Sequence, residues 1–170
     1  MKIEQLSEER AKIILPQLVA LLQDAVQNGS SVGFLPPLET ETAERYWFES
    51  FKEVTQGKRV LLVASEGGAV AGSVQLALAT KQNSLHRAEV QKLVVHTRFR
   101  QRGIARALMH AVEDAAREQG RTLLILDTEQ GCVAESLYVK SGYTRAGVIP
   151  NYARNGKGAL ITTVLFYKSL

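Results

Sequence analysis

The chain has 170 residues, of which 45% are hydrophobic and 22% charged, and this composition is typical of an ordinary soluble globular domain. Its net charge of +4 is modest, which argues against a long nucleic-acid track and favours an anionic ligand. A lone Cys132 excludes an intrachain disulfide framework, and the sequence shows neither a secretory signal nor an apolar run long enough to span a membrane. We therefore expect a cytoplasmic protein with one domain over residues 1–170.

The first half of the chain predicts two helical segments and a β-hairpin. Apolar spacing of three and four residues marks the helices, and β-rich runs around a Glu-Gly-Gly turn mark the hairpin. The expected order is a strand at 2–6, a helix from Ser7 to about 29 with a kink or restart at Pro16, an irregular loop at 29–38, a helix at 40–57, and hairpin strands at 58–65 and 69–80.

The second half predicts alternating strands and helices. We expect a strand at 89–96, a helix at 103–119, a strand at 122–128, a helix at 132–142, and strands at 143–149 and 159–168. The strand–helix–strand unit from 89 to 128 has the length of a parallel crossover. The fold class is therefore α/β, with a mixed sheet that is antiparallel in its first half.

Four arginines lie where the third long helix is predicted to begin. The stretch RFRQRGIAR covers residues 98–106, and the helical spacing begins at Gly103. A helix N-terminus is already partly positive, so arginines there are favourable only when an anion is bound. A loop with a glycine before a helix offers free N–H groups to phosphate. The alternative interpretation is a solvated basic loop.

The spacing around Gly103 separates this loop from two familiar nucleotide motifs. It reads R-x-x-G-x-A, and the single glycine does not match the dinucleotide fingerprint or the P-loop. The pattern is compatible with a nucleotide diphosphate but indicates neither NAD nor nucleoside triphosphate chemistry.

The segments EVQKLVVH, R-x-x-G-x-A, TLLILDT and AESLYVKSGY, in this order, resemble the core of the GCN5-related N-acetyltransferases. That family transfers acetyl from acetyl-CoA to a primary amine. More narrowly, SVGF, RAEVQKLVV, LDTEQGCVAESLY and YTRAG resemble the tabtoxin-resistance acetyltransferases, which acetylate a toxic β-lactam amino acid. The resemblance implies a mixed, mostly antiparallel sheet with a parallel pair at the acetyl-CoA cleft, flanked by helices.

The resemblance also implies acetyl-CoA as the co-substrate. The family's phosphate loop matches Arg100 to Ala105, with Arg106 following. Its backbone N–H groups would hold the pyrophosphate, the arginines would add charged contacts, and the pantetheine arm would lie along the preceding strand like an added strand. An N–H group of that strand would polarise the thioester carbonyl. The residues assigned to acetyl-CoA are Leu93, Val94, Val95, Arg100, Gln101, Arg102, Gly103, Ile104, Ala105 and Arg106.

Acetyl transfer to an amine requires a proton acceptor for the amine and a proton donor for the departing thiolate. Glu89, Asp127 and Glu129 are candidate bases because they lie near strand ends, where ligands bind in α/β sheets; capping or surface pairing is the alternative for each. Tyr138 matches the position at which the family places a tyrosine that protonates the CoA sulfur. We expect Tyr138 as the acid and Asp127 or Glu89 as the base.

The resemblance places the acceptor at the N-terminal helices, their loop and the segment before the last strand. Ser31, Phe34, Asn151 and Tyr152 are the candidates, together with Arg154, which suits a carboxylate. The last three belong to IPNYARNGKG, residues 149–158, for which we predict a loop; ordinary loop packing is the alternative role.

Three further expectations concern metal binding, cysteine chemistry and assembly. The histidines, His86, His96 and His110, lack metal-ligand spacing, so no metal is expected. Cys132 would be reactive at a helix N-terminus, but the family transfers acetyl directly. By analogy with the fold, a homodimer through the last strands is expected.

The function that this sequence favours is acetyl-CoA-dependent N-acetylation of a small-molecule amine, such as an amino-acid-like toxin or metabolite. A non-catalytic acyl-CoA sensor with the same cleft is the alternative. An RNA-binding module is disfavoured because aromatic residues do not interleave with the arginines.

Overall fold

Seven strands form one mixed sheet in the computed structural model, which describes residues 1–170. The strands are β1 (Lys2–Gln5), β2 (Arg59–Glu66), β3 (Ala69–Leu78), β4 (Arg87–Val95), β5 (Leu123–Glu129), β6 (Thr144–Arg154) and β7 (Leu160–Ser169). The helices are α1 (Glu8–Ile13), α2 (Leu15–Gln27), α3 (Thr40–Thr55), α4 (Ile104–Glu118) and α5 (Val133–Lys140). None of them is long and apolar enough to cross a membrane.

The first helical segment is two helices. Ser7 caps α1, since its hydroxyl accepts a hydrogen bond from the Arg10 N–H group. Helix α1 ends before Ile14, and α2 begins with Pro16 in its first turn, where the missing N–H group costs nothing. Pro16 is therefore a restart, one of the two outcomes that the sequence predicts.

The strand order in the sheet is β1-β2-β3-β4-β5-β7-β6. All neighbours are antiparallel except β4 and β5, which are joined by the α4 crossover and pair in parallel. That pairing covers only three residue pairs, from Arg87–Leu123 to Glu89–Ile125. Beyond Glu89 the two strands have no common register, so the sheet opens between them. The predicted fold class is confirmed.

A β-bulge in β4 lies just beyond this point. Gln75 of β3 pairs with Gln91, whereas Ser73 pairs with Val94, so Val74 alone faces two residues of β4. The extra residue is accommodated by Lys92, whose φ of 50° lies in the left-handed region. The bulge therefore changes which face of the sheet the following side chains occupy.

Two apolar cores cover the two faces of the sheet. The larger one packs α4 and α5 against the sheet through residues such as Leu108, Val112 and Phe166. The smaller one packs α1, α2 and α3 against the opposite face, with Trp47 and Phe51 at its centre. The apolar stripes of α2 and α4 that the sequence predicts are the buried faces of these helices.

The prediction of a loop over 149–158 is wrong for most of its length. Strand β6 continues to Arg154 and pairs with β7 through Ala153–Ile161 and Arg154–Leu160. Pro150 and Asn151 lie at an irregularity of the ladder between Ile149 and Ala153 on an edge strand, where Pro is tolerated. The outer edge of β6 has no strand partner within the chain.

We expect Gly72→Ala to lower the free energy of unfolding by about 1–3 kcal/mol, the usual cost of overpacking. A Cβ atom at Gly72 would lie 2.7 Å from the Val94 carbonyl oxygen, 3.2 Å from Leu108 and 3.3 Å from Ile104. Gly147→Ala is the matched control, because a Cβ atom there meets nothing within 4 Å. Urea denaturation of both variants checks this; equal stabilities would contradict it.

Candidate functional site

A cavity of about 1100 Å³ opens where β4 and β5 separate. Its walls come from the separated halves of both strands, the segment 28–35 after α2, the start of α4, helix α5 and the β6–β7 pair. This volume lies just above the usual range for small-molecule sites, and it suits a large ligand or two ligands side by side. Most of the predicted site residues line this one cavity.

The segment before α4 supplies a row of unpaired backbone donors. The Arg100 N–H group bonds the Thr97 carbonyl and the Ala107 N–H group bonds the Gly103 carbonyl, but the six N–H groups from Gln101 to Arg106 bond no backbone carbonyl. Gln101 (φ 62°) and Gly103 (φ 76°) have left-handed backbone, which curves the segment. A curved row of free N–H groups at a helix N-terminus is an anion site.

The four arginines of this segment divide into two groups. Arg100 and Arg106 line the cavity, and the Arg100 Nε atom donates to the Val95 carbonyl at 3.1 Å. Arg102 instead reaches Glu66 of the hairpin at 3.3 Å, and both Arg98 and Arg102 lie 5.6 Å from the Phe99 ring centre. Of the predicted contacts, the structure thus brings the Arg100 and Arg106 side chains to the cavity, but not that of Arg102.

The predicted pantetheine strand forms one wall of the cavity. Leu93, Val94 and Val95 all line it, and they lie beyond the last β4–β5 pair at Glu89. The β4 edge that faces β5 is therefore without a strand partner in this region. Such an edge can hydrogen-bond an extended ligand as a further strand would.

Tyr138 is a buried residue of α5 that lines the cavity. Its side chain is 7% exposed and packs against Phe166, with ring centres 5.9 Å apart. Burial, with smaller effects of Cys132 and Asp127, raises the pKa of the Tyr138 phenol above its ordinary value. The phenol is therefore fully protonated at neutral pH and is able to donate a proton, not to accept one.

The three candidate carboxylates also line the cavity. Glu89 is the last residue of β4 paired to β5, so it lies where the two strands part. Asp127 is exposed and accepts a hydrogen bond of 2.9 Å from the Thr163 hydroxyl group. Glu129 lines the wall at the end of β5. A carboxylate therefore stands on each side of the opening.

The predicted acceptor residues are only partly brought together. Ser31, Phe34, Tyr152 and Arg154 line the cavity, whereas Asn151 does not. The Arg154 guanidinium donates to the Gly158 carbonyl at 2.8 Å, which ties it to the β6–β7 turn.

A cluster of hydrogen-bonded polar side chains on the α3 side of β4 was not predicted from the sequence. Arg59 donates to the side-chain oxygens of Gln75 and Gln91, and its Nε atom pairs with Glu53 at 2.6 Å. The Tyr46 hydroxyl donates to the same Gln75 oxygen at 3.0 Å. These residues come from four separate elements, and only the three-dimensional pairing of β2, β3 and β4 brings them together.

Comparison with protein families gives a match to the acetyltransferase (GNAT) family over residues 20–143. An uncharacterized N-acetyltransferase of Azospirillum brasilense, from the hisH–hisA intergenic region, is 35% identical over 119 residues, which cover 68% of each chain.

Solved structures share the fold over nearly the whole chain. Ribosomal-protein-alanine N-acetyltransferase from Brucella melitensis has a TM-score of 0.81 at 24% identity, and the match covers 100% of both chains. A protein from Salmonella typhimurium that was solved with its cofactor acetyl-CoA has a TM-score of 0.80 at 18% identity, covering 100% of this chain and 94% of that one.

Proposed function

The chain belongs to the acetyltransferase (GNAT) family, and on this premise we propose that it is an acetyl-CoA-dependent N-acetyltransferase acting on the primary amine of a small molecule. The observation that carries the proposal is the row of six unpaired N–H groups from Gln101 to Arg106 beside a large cavity. The proposal treats residues 1–170 as one acetyltransferase domain, since a single sheet runs from β1 to β7.

The residues on the cavity wall fit acetyl-CoA, which supplies an acetyl thioester and a diphosphate. The N–H groups of Gln101–Arg106 would bind the diphosphate oxygens, with charged contacts from Arg100 and Arg106. The open edge of β4 at Leu93, Val94 and Val95 would hold the pantetheine arm, and one of its N–H groups would stabilise charge that develops on the thioester oxygen.

Two proton transfers accompany the reaction, and different side chains would perform them. Acetyl transfer forms a C–N bond and breaks a C–S bond, so one proton leaves the amine nitrogen and one reaches the sulfur. Asp127 or Glu89 would accept the first proton, directly or through water. Tyr138 would donate the second, because its phenol lies on the cavity wall and is protonated at neutral pH.

We propose an amino-acid-like toxin or metabolite as the acceptor. The motifs shared with the tabtoxin-resistance acetyltransferases support this class, and so does the presence of Ser31, Phe34, Tyr152 and Arg154 on the cavity wall. Both positive and negative side chains line this cavity, as an acceptor with an amine and an acidic group requires.

Arg100→Ala is expected to weaken acetyl-CoA binding about tenfold, whereas Arg102→Ala changes it much less. The reason is that Arg100 lines the cavity, while Arg102 pairs with Glu66 outside it. The two variants remove the same charge two residues apart and so serve as controls for each other. Calorimetric titration checks this, and equal losses in both variants would contradict the assignment.

Tyr138→Phe is expected to lower kcat by a factor of about 10² to 10⁴ while acetyl-CoA affinity changes little, because a general acid acts in the transition state. Release of the CoA thiol, followed across a panel of small primary amines, gives the rate. Tyr167→Phe, at an exposed tyrosine that does not line the cavity, is the control. Acetyl-CoA binding without turnover of any amine by the unmodified protein would favour the sensor instead.

A further inference from the structure

The Lys92 ammonium group is a charge inside the cavity without a direct partner. Its side chain is half-buried on the cavity wall, and it has neither a hydrogen bond nor a carboxylate within 4.0 Å. It lies over the ring of Tyr46, whose centre is 5.6 Å from Nζ. A half-buried ammonium group that has lost part of its water without gaining a hydrogen-bond acceptor is costly, and an anionic ligand in the cavity would offset that cost.

The backbone holds Lys92 in this position. It occupies the bulge of β4 with a φ of 50°, and the bulge brings its side chain beside Gln91 on the α3 face of the sheet. The loop after α2 covers it from the other side, since a Cβ atom built on Gly33 would lie 3.7 Å from Nζ. Phe34 of that loop packs edge-on against Tyr46, with ring centres 5.3 Å apart.

The other charges nearby are already matched or lie too far away to pair. Arg59, which lowers the pKa of Lys92 after the larger effect of burial, is paired with Glu53. Asp127 and Glu89 partly offset this fall from a distance but make no ion pair with Lys92. Lys92 is therefore an unpaired cation on the α3 side of the cavity, and neither Asp127 nor Glu89 lies within ion-pairing distance of it.

We propose that Lys92 binds a carboxylate group of the acceptor, which is thus an amine that also carries an acid. This inference rests on the proposed function and assigns an orientation within it. The amine of the acceptor lies toward Asp127 and Glu89, which attract its positive charge. The carboxylate of the acceptor lies toward Lys92, because Asp127 and Glu89 would repel it. Arg154 is the less suitable partner because its guanidinium is tied to the Gly158 carbonyl.

The test compares amines that differ only in the carboxylate. The pairs are lysine with cadaverine, ornithine with putrescine, and 2,4-diaminobutyrate with 1,3-diaminopropane. Each is measured with the unmodified protein, Lys92→Met, Lys92→Arg and Lys81→Met, the last at an exposed lysine outside the cavity. Two readouts are used: kcat/KM with acetyl-CoA, and calorimetric binding in the presence of CoA, which needs no turnover.

For at least one pair, the unmodified protein should prefer the carboxylated member. Lys92→Met should reduce kcat/KM and affinity for that member about tenfold or more, the range for a lost charged hydrogen bond, and leave the other member within about threefold. Lys92→Arg should keep much of the preference, and Lys81→Met all of it.

Three results would overturn the proposal. They are a preference for the decarboxylated members, equal losses for both members in Lys92→Met, or no effect of that variant. Equal losses in kcat with unchanged binding would instead assign Lys92 to proton transfer. If the carboxylated members bind through Lys92 but none is acetylated, the binding inference holds and the proposed function fails.

Discussion

Strands β4 and β5 pair over only three residues, and their separation beyond Glu89 is the constraint on which the cavity depends. The bulge at Lys92 lies three residues after the last pair, and a bulge bends the strand that carries it. Gly72 permits this path, because any larger residue would collide with the Val94 carbonyl. Helix α4 then begins with its free N–H groups at the same opening. One local loss of pairing thus provides an open strand edge and an anion site together.

The charges in the cavity follow from this geometry. Positive groups line it at Arg100 and Arg106, at Lys92, and at Lys140 and Arg154, whereas Glu89 and Asp127 lie where the strands part. The hydrophobic surroundings of Tyr138 keep its phenol neutral. A ligand anion bound at the segment 100–106 or at Lys92 would offset the free-energy cost of these unpaired positive charges. This account explains why arginines occur at the N-terminus of α4, where acidic residues would stabilise an isolated helix.

The sequence predicted correctly those elements that have a local sequence pattern. Periodicity predicted α4, the turn residues predicted the hairpin, and the glycine after β4 predicted where α4 begins. Prediction from the sequence was wrong where pairing between strands decides the structure. Residues 149–154 contain Pro150 and Asn151 yet form part of β6, because β7 pairs with them across an irregular ladder. Arg102 pairs with Glu66, and a bulge places Lys92 on the cavity wall. Neither feature leaves a pattern in the nearby sequence.

The most direct test of the central claim is to follow the backbone amides of the phosphate loop by NMR while acetyl-CoA is added. The account predicts that the amides from Gln101 to Arg106 shift strongly and become protected from hydrogen exchange, since they gain acceptors on binding. The amides of the hairpin turn at Gly67 and Gly68, which lie outside the cavity, should not change. Saturating binding that leaves the loop amides unprotected would contradict the claim that these six groups hold the diphosphate.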